Sequence, residues 1–178
     1  KRLCIERNGE LVSYFEHNED QRLPMVLERL EQGVETALIS DAGTPLLSDP
    51  GFTLVRACRE RGIPVRPAPG PSAPVTALSA CGLPPLPYTF LGFLPRREGQ
   101  ALALLRTHGA TNATLVFFER KSRLAQTLDL AFRALGDREF CICRELTKDY
   151  EEFLQGTLGR LDALDLDLKG EITVVAEV

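Results

Sequence analysis

The sequence predicts an α/β protein with two α/β domains, the first built on a parallel sheet and the second on a mixed sheet, with a ligand cleft between them. Short apolar runs typical of strands alternate with amphipathic helical patterns along nearly all 178 residues. A charged, turn-rich segment at 95–99 interrupts this alternation, so we place the domain boundary there. The two predicted domains are therefore residues 1–94 and 95–178.

The first domain is predicted to contain four short strands separated by helices. The chain opens on what resembles the tail of a helix at 1–7. Apolar residues spaced three and four apart indicate helices, and Gly33 and Gly62 are placed to end two of them. The predicted strands lie at 11–15, 37–39, 63–66 and 88–94, and the apolar helix faces lie at 23–30, 54–58 and 75–81.

The second domain is predicted to combine parallel and antiparallel strands. Helical patterns lie around 102–105, 124–135 and 158–164, and strands at 114–118, 139–144, 151–155 and 172–178. The gap between the strands at 139–144 and 151–155 is too short for a crossover helix. These two strands should therefore form an antiparallel hairpin, which makes the second sheet mixed.

Composition and charge exclude several classes of protein. A formal net charge of -4 argues against a surface that is basic throughout, so any nucleic-acid site must be a local patch. Five cysteines without framework spacing indicate buried, reduced thiols, and Cys141 and Cys143 alternate onto one face of a strand without a second metal-binding pair. No signal peptide or membrane-length apolar run is present, so we expect a cytoplasmic protein with no membrane partner and no metal.

Four loops that follow predicted strands carry the residues typical of binding sites. The loop at 40–51 is rich in Asp, Gly, Thr and Pro, and the loop at 67–74 leads into a helix with Ser72 as N-cap and Pro74 in the first turn. Charged segments at 119–123 and 144–148 also follow strands. Since ligands bind at the carboxyl ends of strands in α/β sheets, we expect these loops to line one cleft. For each loop alone, simple turn capping is an alternative.

Several enzyme classes lose support because their motifs are missing. The sequence has no GxGxxG, no GxxxxGK[ST], no HExxH and no Ser-His-Asp set. The stretch from Asp41 to Thr44 superficially matches the DxDGT loop of aspartyl-phosphate hydrolases, but Ile39 occupies the position of the nucleophile. The residues and their spacing thus indicate an α/β enzyme with a cleft between its domains.

A longer set of motifs resembles a known family. The chain is similar to the bacterial small-subunit (16S) ribosomal RNA cytidine 2'-O-ribose methyltransferases of the tetrapyrrole-methylase superfamily. The resemblance covers essentially the whole chain, and the matching motifs are SDAGTPLLSDPG at 40–51, PGPSA at 69–73, LSACGLP at 78–84, GFLP at 92–95, FE at 118–119 with RL at 123–124, and RELTK at 144–148. HNE at 17–19 and GE at 170–171 also match.

This resemblance implies an activity, a cofactor and a set of site residues. It implies a homodimer that binds S-adenosyl-L-methionine between two α/β domains and methylates a ribose 2'-hydroxyl of 16S ribosomal RNA in the small subunit. By family position the cofactor should be surrounded by Asp41, Ala42, Gly43, Thr44, Pro45, Ser72, Ala73, Phe118, Glu119, Arg144, Glu145 and Glu171. The family has an earlier strand and a first cofactor loop without a counterpart here, so we expect the first domain to lack a βα unit before Lys1.

Within that reaction, candidates for proton transfer and RNA binding follow from residue type. Glu119 and Glu145 each follow a strand beside basic residues, and Lys148 is a third candidate base if desolvation lowers its pKa. A structural salt bridge is an equal alternative for each of the three. The predicted RNA-binding set is Arg96, Arg97, Arg120, Lys121, Arg123 and Lys148. Two other functions stay open, namely a tetrapyrrole (precorrin-type) methyltransferase and a non-catalytic RNA-binding fragment.

Overall fold

The chain divides into two compact units, Lys1–Pro69 and Gly70–Val178. The computed structural model describes residues 9–166 and 168–178. The helix tail predicted at 1–7 lies outside the described residues. Within the part of the chain that is described, no helix combines the length and the apolar character that a membrane span requires.

The first unit contains two helices that pack on each other. Helix α1 spans Glu19–Glu31 and helix α2 spans Phe52–Glu60, as the apolar spacing predicted. The chain leaves each helix through a glycine with positive φ, Gly33 at 84° and Gly62 at 69°. The core between the helices is small, and its buried members are Val26, Leu27, Leu54 and Cys58.

The parallel sheet predicted for this part of the chain is not formed. The segments at 11–15, 37–39 and 63–66 are not strands, and residues 9–69 contain no strand at all. Leu11 is 68% exposed and Ile39 is 75% exposed. An apolar run shows that a segment favours extended backbone, but a strand also needs a neighbour that completes its hydrogen-bond ladder. The sequence pattern carries no information about that neighbour.

The second unit is built around a mixed five-stranded sheet, as predicted. The spatial order is β1-β2-β5-β3-β4; β1 and β2 are parallel and the other neighbouring pairs are antiparallel. The predicted hairpin is therefore confirmed as the β3–β4 pair. The strands are β1 Tyr88–Phe93, β2 Thr114–Glu119, β3 Glu139–Arg144, β4 Glu152–Thr157 and β5 Ile172–Ala176.

Helices cover both faces of this sheet because its central strands are apolar on both sides. These elements are α3 Ala73–Ala80, α4 Glu98–Gly109, α5 Lys121–Leu135 and a short 3₁₀ helix, Leu158–Ala163. In β2, Val116 packs toward α3, whereas Leu115 and Phe117 belong to the larger core on the opposite face. That larger core includes apolar side chains of α4, α5 and the 3₁₀ helix.

The division between the units lies earlier than the boundary predicted after residue 94. Strand β1 pairs with β2, so it belongs to the second unit together with α3. The charged segment at 95–99 leads from β1 into α4, and α4 is the crossover helix between two parallel strands. A turn-rich segment of this kind marks a connection inside a βαβ unit as readily as a boundary between domains.

The cysteine pair in β3 lies in the core, as alternation predicted. Cys141 and Cys143 are both 0% exposed, and their Sγ atoms are 3.9 Å apart. Together with Cys81 they face α3 in the smaller of the two cores of this unit. Burial raises the pKa of the Cys81 thiol, so this group stays protonated and packs as a small apolar side chain.

Candidate functional site

The strand register of the second unit gathers several predicted site residues at one edge of the sheet, which we call the site edge. Phe93 of β1 pairs with Phe118 of β2, and Glu119 pairs with Ile172 at the start of β5. Ile172 also pairs with Arg144 at the end of β3. The site edge therefore brings together side chains that are far apart in sequence, among them those of two of the four predicted loops, at 119–123 and 144–148.

Glu119 is held inside the protein. Its side chain is 0% exposed. The Thr127 hydroxyl donates to Oε2 at 2.6 Å, and the Arg120 backbone N–H donates to Oε1 at 2.8 Å. Arg123 Nη1 lies 3.8 Å from Oε1. Both oxygens thus have partners within the protein, and this carboxylate ties the end of β2 to α5.

Arg123 belongs to the same network. Its Nη1 donates to the Leu94 carbonyl at 3.2 Å and its Nη2 to the Pro95 carbonyl at 3.0 Å. The side chain is 23% exposed. Arg123 was predicted to bind RNA, but the structure gives its guanidinium a role in fixing the segment that follows β1. The other predicted RNA-binding side chains are all on or near the surface, namely exposed Arg96, Arg97, Arg120, Lys121 and Lys148.

Glu145 links the turn after β3 to the segment before β5. Its backbone has φ of 48°, its N–H donates to the Glu171 carbonyl at 2.9 Å, and its Oε1 accepts the Glu171 N–H at 2.7 Å. Lys148 Nζ donates to the same oxygen at 3.2 Å. The Glu171 N–H, followed by Lys148, holds the pKa of Glu145 below its ordinary value, so the carboxylate is ionised at neutral pH.

Lys148 is an ion-paired cation. Besides Glu145 it contacts Glu171, with Nζ 3.0 Å from Oε2. The hydrogen bond to Glu171 and then that to Glu145 raise the pKa of Lys148, in spite of partial desolvation. This direction is opposite to the one expected for a general base, so the structure does not support that role for Lys148.

The guanidinium of Arg144 is also held in place, by a carboxylate and a backbone carbonyl. Its Nε and Nη2 lie 2.9 and 2.8 Å from Glu152 Oε2, and its Nη1 donates to the Lys169 carbonyl at 3.2 Å. The guanidinium therefore joins β4 to the segment before β5. Together, Arg144, Glu145 and Lys148 form a rigid charged cluster at the site edge.

Gly170, part of the GE motif at 170–171 but not one of the predicted site residues, lies against Glu145. Its φ is +101°, and a Cβ atom built on it would lie 2.5 Å from Cδ and 2.6 Å from Cγ of Glu145. A side chain at this position would displace the Glu145 carboxylate. The sequence signal was the glycine immediately before Glu171, but its contact with Glu145 depends on the pairing of β3 and β5.

The last turn of helix α3 is anchored to the sheet, because Gln155 Nε2 of β4 donates to the Cys81 carbonyl at 2.9 Å. Ser72 is the N-cap residue, as predicted, although its side chain makes no capping hydrogen bond. Ser72 and Ala73 are both half-buried. The first N–H groups of this helix are a suitable environment for a carboxylate or another anion.

The loop at 40–51 in the first unit is tightly folded on itself. Ser40 Oγ lies 3.1 Å from both the Ala42 and the Gly43 carbonyl oxygens, and Gly43 has φ of 69°. Asp41, Ala42 and Gly43 are exposed, whereas Thr44 and Pro45 are half-buried. The loop therefore presents the Asp41 carboxylate at the surface of its unit.

Glu19 anchors the far end of that loop and was not predicted as a site residue. Its Oε1 accepts the Gly51 N–H at 3.2 Å and the Tyr14 hydroxyl at 3.2 Å, and also accepts the Thr53 hydroxyl. Burial raises the pKa of Glu19, but the hydrogen bonds from Thr53, Tyr14 and Gly51 outweigh it and lower the pKa overall. Burial and the nearby carboxylate raise the pKa of Tyr14 to about 12.

A cavity of about 300 Å³ opens at the opposite edge of the sheet, and none of the predicted site residues lines it. Its walls come from the start of β3, the end of β4 and the turn after α3, with the lining residues Gly82, Leu83, Glu139, Phe140, Gln155, Gly156 and Thr157. The charged cluster at the site edge, with its unusual backbone angles, is the stronger candidate for function.

Comparison with known proteins identifies the family. The sequence profile described as Tetrapyrrole (Corrin/Porphyrin) Methylases matches residues 4–162. The chain belongs to the tetrapyrrole methylase family. This confirms the superfamily that the motifs indicated, and the α/β fold is that of its solved members.

Three known proteins illustrate the similarity. The chain is 45% identical over 174 residues to a Micromonospora olivasterospora protein named Ribosomal RNA small subunit methyltransferase I, and the alignment covers 96% of this chain and 56% of that relative. The chain therefore spans a little over half the length of this curated relative. The methyltransferase CobJ superposes with a TM-score of 0.68 at 18% identity, covering 88% of this chain and 70% of CobJ. Thermus thermophilus uroporphyrin-III C-methyl transferase, complexed with S-adenyl homocysteine, superposes with a TM-score of 0.58 at 16% identity, covering 89% and 73%.

Proposed function

We propose that this tetrapyrrole methylase family member is an S-adenosyl-L-methionine-dependent methyltransferase that methylates the 2'-hydroxyl of a cytidine ribose in 16S ribosomal RNA. The observation that carries the proposal is the 45% identity to a protein named Ribosomal RNA small subunit methyltransferase I. The charged site edge and the exposed arginines beside it support the same conclusion. A homodimer and a cytoplasmic location stay predictions from the family resemblance.

The residues of the site edge have the chemistry that S-adenosyl-L-methionine requires. A sulfonium is cationic, so the ionised Glu145 and the neighbouring Glu171 suit its surroundings. The N–H groups at the start of α3, next to Ser72 and Ala73, suit the methionine carboxylate. Half-buried Phe118 offers an apolar surface. Glu119 would act indirectly, by holding Phe118 and Arg120 in place through its buried hydrogen bonds.

We propose that the protein accelerates the reaction mainly by orienting the ribose hydroxyl. When bound, the cofactor supplies an activated methyl group, and the protein must align the ribose hydroxyl with it. Glu119 already accepts two hydrogen bonds and Lys148 has a raised pKa, so neither is suited to accept the hydroxyl proton. The hydrogen bonds to Glu119 occupy both of its oxygens, whereas those to the ionised Glu145 both reach Oε1. We therefore propose that Glu145 accepts the proton of the ribose 2'-hydroxyl as the bond between that oxygen and the methyl carbon forms.

In the first unit, the folded loop from Asp41 to Pro45 is proposed to bind the cofactor. Asp41→Ala should weaken cofactor affinity by about 1–3 kcal/mol, since a hydrogen bond to a charged group is removed. Calorimetric titration measures this directly. Asp162→Ala, which removes an exposed carboxylate from the 3₁₀ helix, is the matched control and should leave the affinity unchanged. Equal affinities of wild type and Asp41→Ala would remove Asp41 from the site.

The proposed reaction is tested by offering this chain labelled S-adenosyl-L-methionine with three acceptors. These are small ribosomal subunits, an oligoribonucleotide from 16S RNA and a precorrin-type tetrapyrrole. Label that appears on a cytidine 2'-oxygen supports the proposal. Label on the tetrapyrrole alone favours the alternative function as a tetrapyrrole methyltransferase, and RNA binding without measurable cofactor binding favours a non-catalytic RNA-binding fragment.

RNA is proposed to bind the exposed basic side chains near the site edge. Replacing both Arg96 and Arg97 with alanine should weaken RNA binding and flatten its salt dependence by about one unit of slope for each phosphate that is no longer neutralised. Binding is measured by fluorescence anisotropy over a range of salt concentrations. The control pair, exposed Arg106 and Arg138, removes the same charge near the opposite edge of the sheet. If both pairs change the slope equally, the effect is one of net charge and the local site is refuted.

A further inference from the structure

Phe93 at the end of β1 is an aromatic side chain held in place but open to solvent. It is 47% exposed. Its ring packs edge-on against Phe118, with centroids 5.5 Å apart, and Phe118 in turn packs edge-on against Phe90 at 4.9 Å. Edge-to-face packing fixes the orientation of a ring while leaving part of its surface free. Phe93 is therefore a rigid apolar platform at the site edge.

A β-bulge places Phe93 on this face of the sheet. Phe90 and Phe93 are three residues apart, so regular alternation would direct them to opposite faces. Both nevertheless contact Phe118, because the β1–β2 register shifts between them and Gly92 adopts φ of 62°. Bulges commonly redirect a side chain beside a functional site.

Two arginines hold the ring and the backbone that follows it. The guanidinium carbon of Arg120 lies 5.8 Å from the Phe93 centroid. The Arg120 N–H is fixed by Glu119, and Arg123 holds the carbonyl groups of Leu94 and Pro95 just after the ring. The platform and the backbone that follows it are thus positioned before any ligand arrives, which lowers the entropic cost of binding.

The charge around Phe93 is positive although the whole chain has a net charge of -4. Arg96, Arg97, Arg120 and Lys121 are exposed in the two segments that follow β1 and β2. The carboxylate of Glu98, next in sequence, is paired with Arg133 at 2.6 Å. The surface therefore combines an exposed aromatic ring with several cations, which suits a ligand that carries a flat apolar group beside an anion.

We propose that Phe93 and Arg120 form a stacking subsite for one unpaired base of single-stranded RNA. The ring stacks on the base, and the arginines neutralise the phosphates on either side of it. Paired bases in an RNA duplex are stacked on each other and do not offer a face to Phe93. The subsite rests on the proposed RNA methyltransferase function. It further specifies that the RNA substrate presents a nucleotide unstacked from its neighbours.

The test uses this chain and a short oligoribonucleotide that carries the fluorescent base 2-aminopurine, because stacking on an aromatic ring quenches its emission. Wild type should quench the single strand and leave the duplex form largely unaffected. Phe93→Leu keeps apolar volume but removes the aromatic face, so it should abolish the quenching and weaken single-strand binding about 5- to 100-fold. Phe93→Tyr should retain both properties. Phe132→Leu, at an exposed ring of α5, is the matched control.

The outcomes separate the subsite from the proposed function. If wild type binds and methylates RNA while Phe93→Leu and Phe93→Tyr quench equally, the subsite is refuted and the methyltransferase assignment stands. If wild type neither binds nor methylates RNA, the proposed function fails. Thermal melting and cofactor titration of each variant show that its fold is intact, and a Phe93→Leu variant that loses only quenching and RNA affinity supports the subsite.

Discussion

Replacing Glu119 with alanine is expected to lower the free energy of unfolding by about 3 kcal/mol, because a buried and fully paired carboxylate is removed. The Thr127 hydroxyl and the Arg120 N–H would both lose their acceptor, and a void would remain beside α5. Arg123 would lose its neighbouring negative charge but keep the Leu94 and Pro95 carbonyls. Urea unfolding followed by circular dichroism measures the decrease in stability.

Two further variants distinguish a structural role of Glu119 from a catalytic one. Thr127→Val leaves the carboxylate in place but removes one of its hydrogen-bond donors, so it should also lower the free energy of unfolding. Thr127→Ser keeps the hydroxyl and should lower the free energy of unfolding less. If Glu119 acted as the base and had no structural role, its alanine variant would lose activity without losing stability. A stable but inactive Glu119→Ala protein would therefore contradict the role inferred from the structure.

Gly170→Ala is expected to reduce cofactor affinity at least 10-fold and to destabilise the protein by about 2 kcal/mol. An alanine at φ of +101° is strained, and its Cβ would lie 2.5 Å from Cδ of Glu145. Glu145 would then have to leave the Glu171 N–H and Lys148. Calorimetric titration and thermal melting measure the two effects.

The control for this prediction is Gly99→Ala in α4. A Cβ at Gly99 meets nothing within 4 Å, and alanine favours a helix, so this variant should bind cofactor normally. A double-mutant cycle with Glu145→Ala tests whether the effect of Gly170 passes through Glu145. If Gly170→Ala still weakens binding 10-fold when Glu145 is already alanine, the contact between the two residues is not the cause.

Local patterns were sufficient to predict the helices and most of the second sheet. The apolar stripes of α1 and α5 predicted their positions, and Gly33 and Gly136 follow the last helical turns. The hairpin followed from the short gap between its strands. Phe132 belongs to the predicted apolar stripe of α5 but is 41% exposed. Helical periodicity predicts which side of a helix faces the core, but not how much of that side the core covers.

Features that depend on distant pairing could not be predicted in this way. Whether the apolar run at 37–39 forms a strand depends on a neighbour that its own sequence does not specify. The position of β1 in the second unit likewise depends on its pairing with β2. The same limit applies to the site, since loop position predicted where Glu119 and Arg123 lie but not that they bind each other and the protein backbone.

The strand order also constrains how the second unit can form during synthesis. Strand β5 is the last of the five to leave the ribosome, yet it lies between β2 and β3 and is the sole link between the β1–β2 pair and the β3–β4 hairpin in the described sheet. Until Ile172–Ala176 emerges, both pairs expose an unprotected edge to other nascent chains. Closing the sheet therefore depends on long-range contacts, so we expect this step to be slow and to need protection from aggregation in the cell.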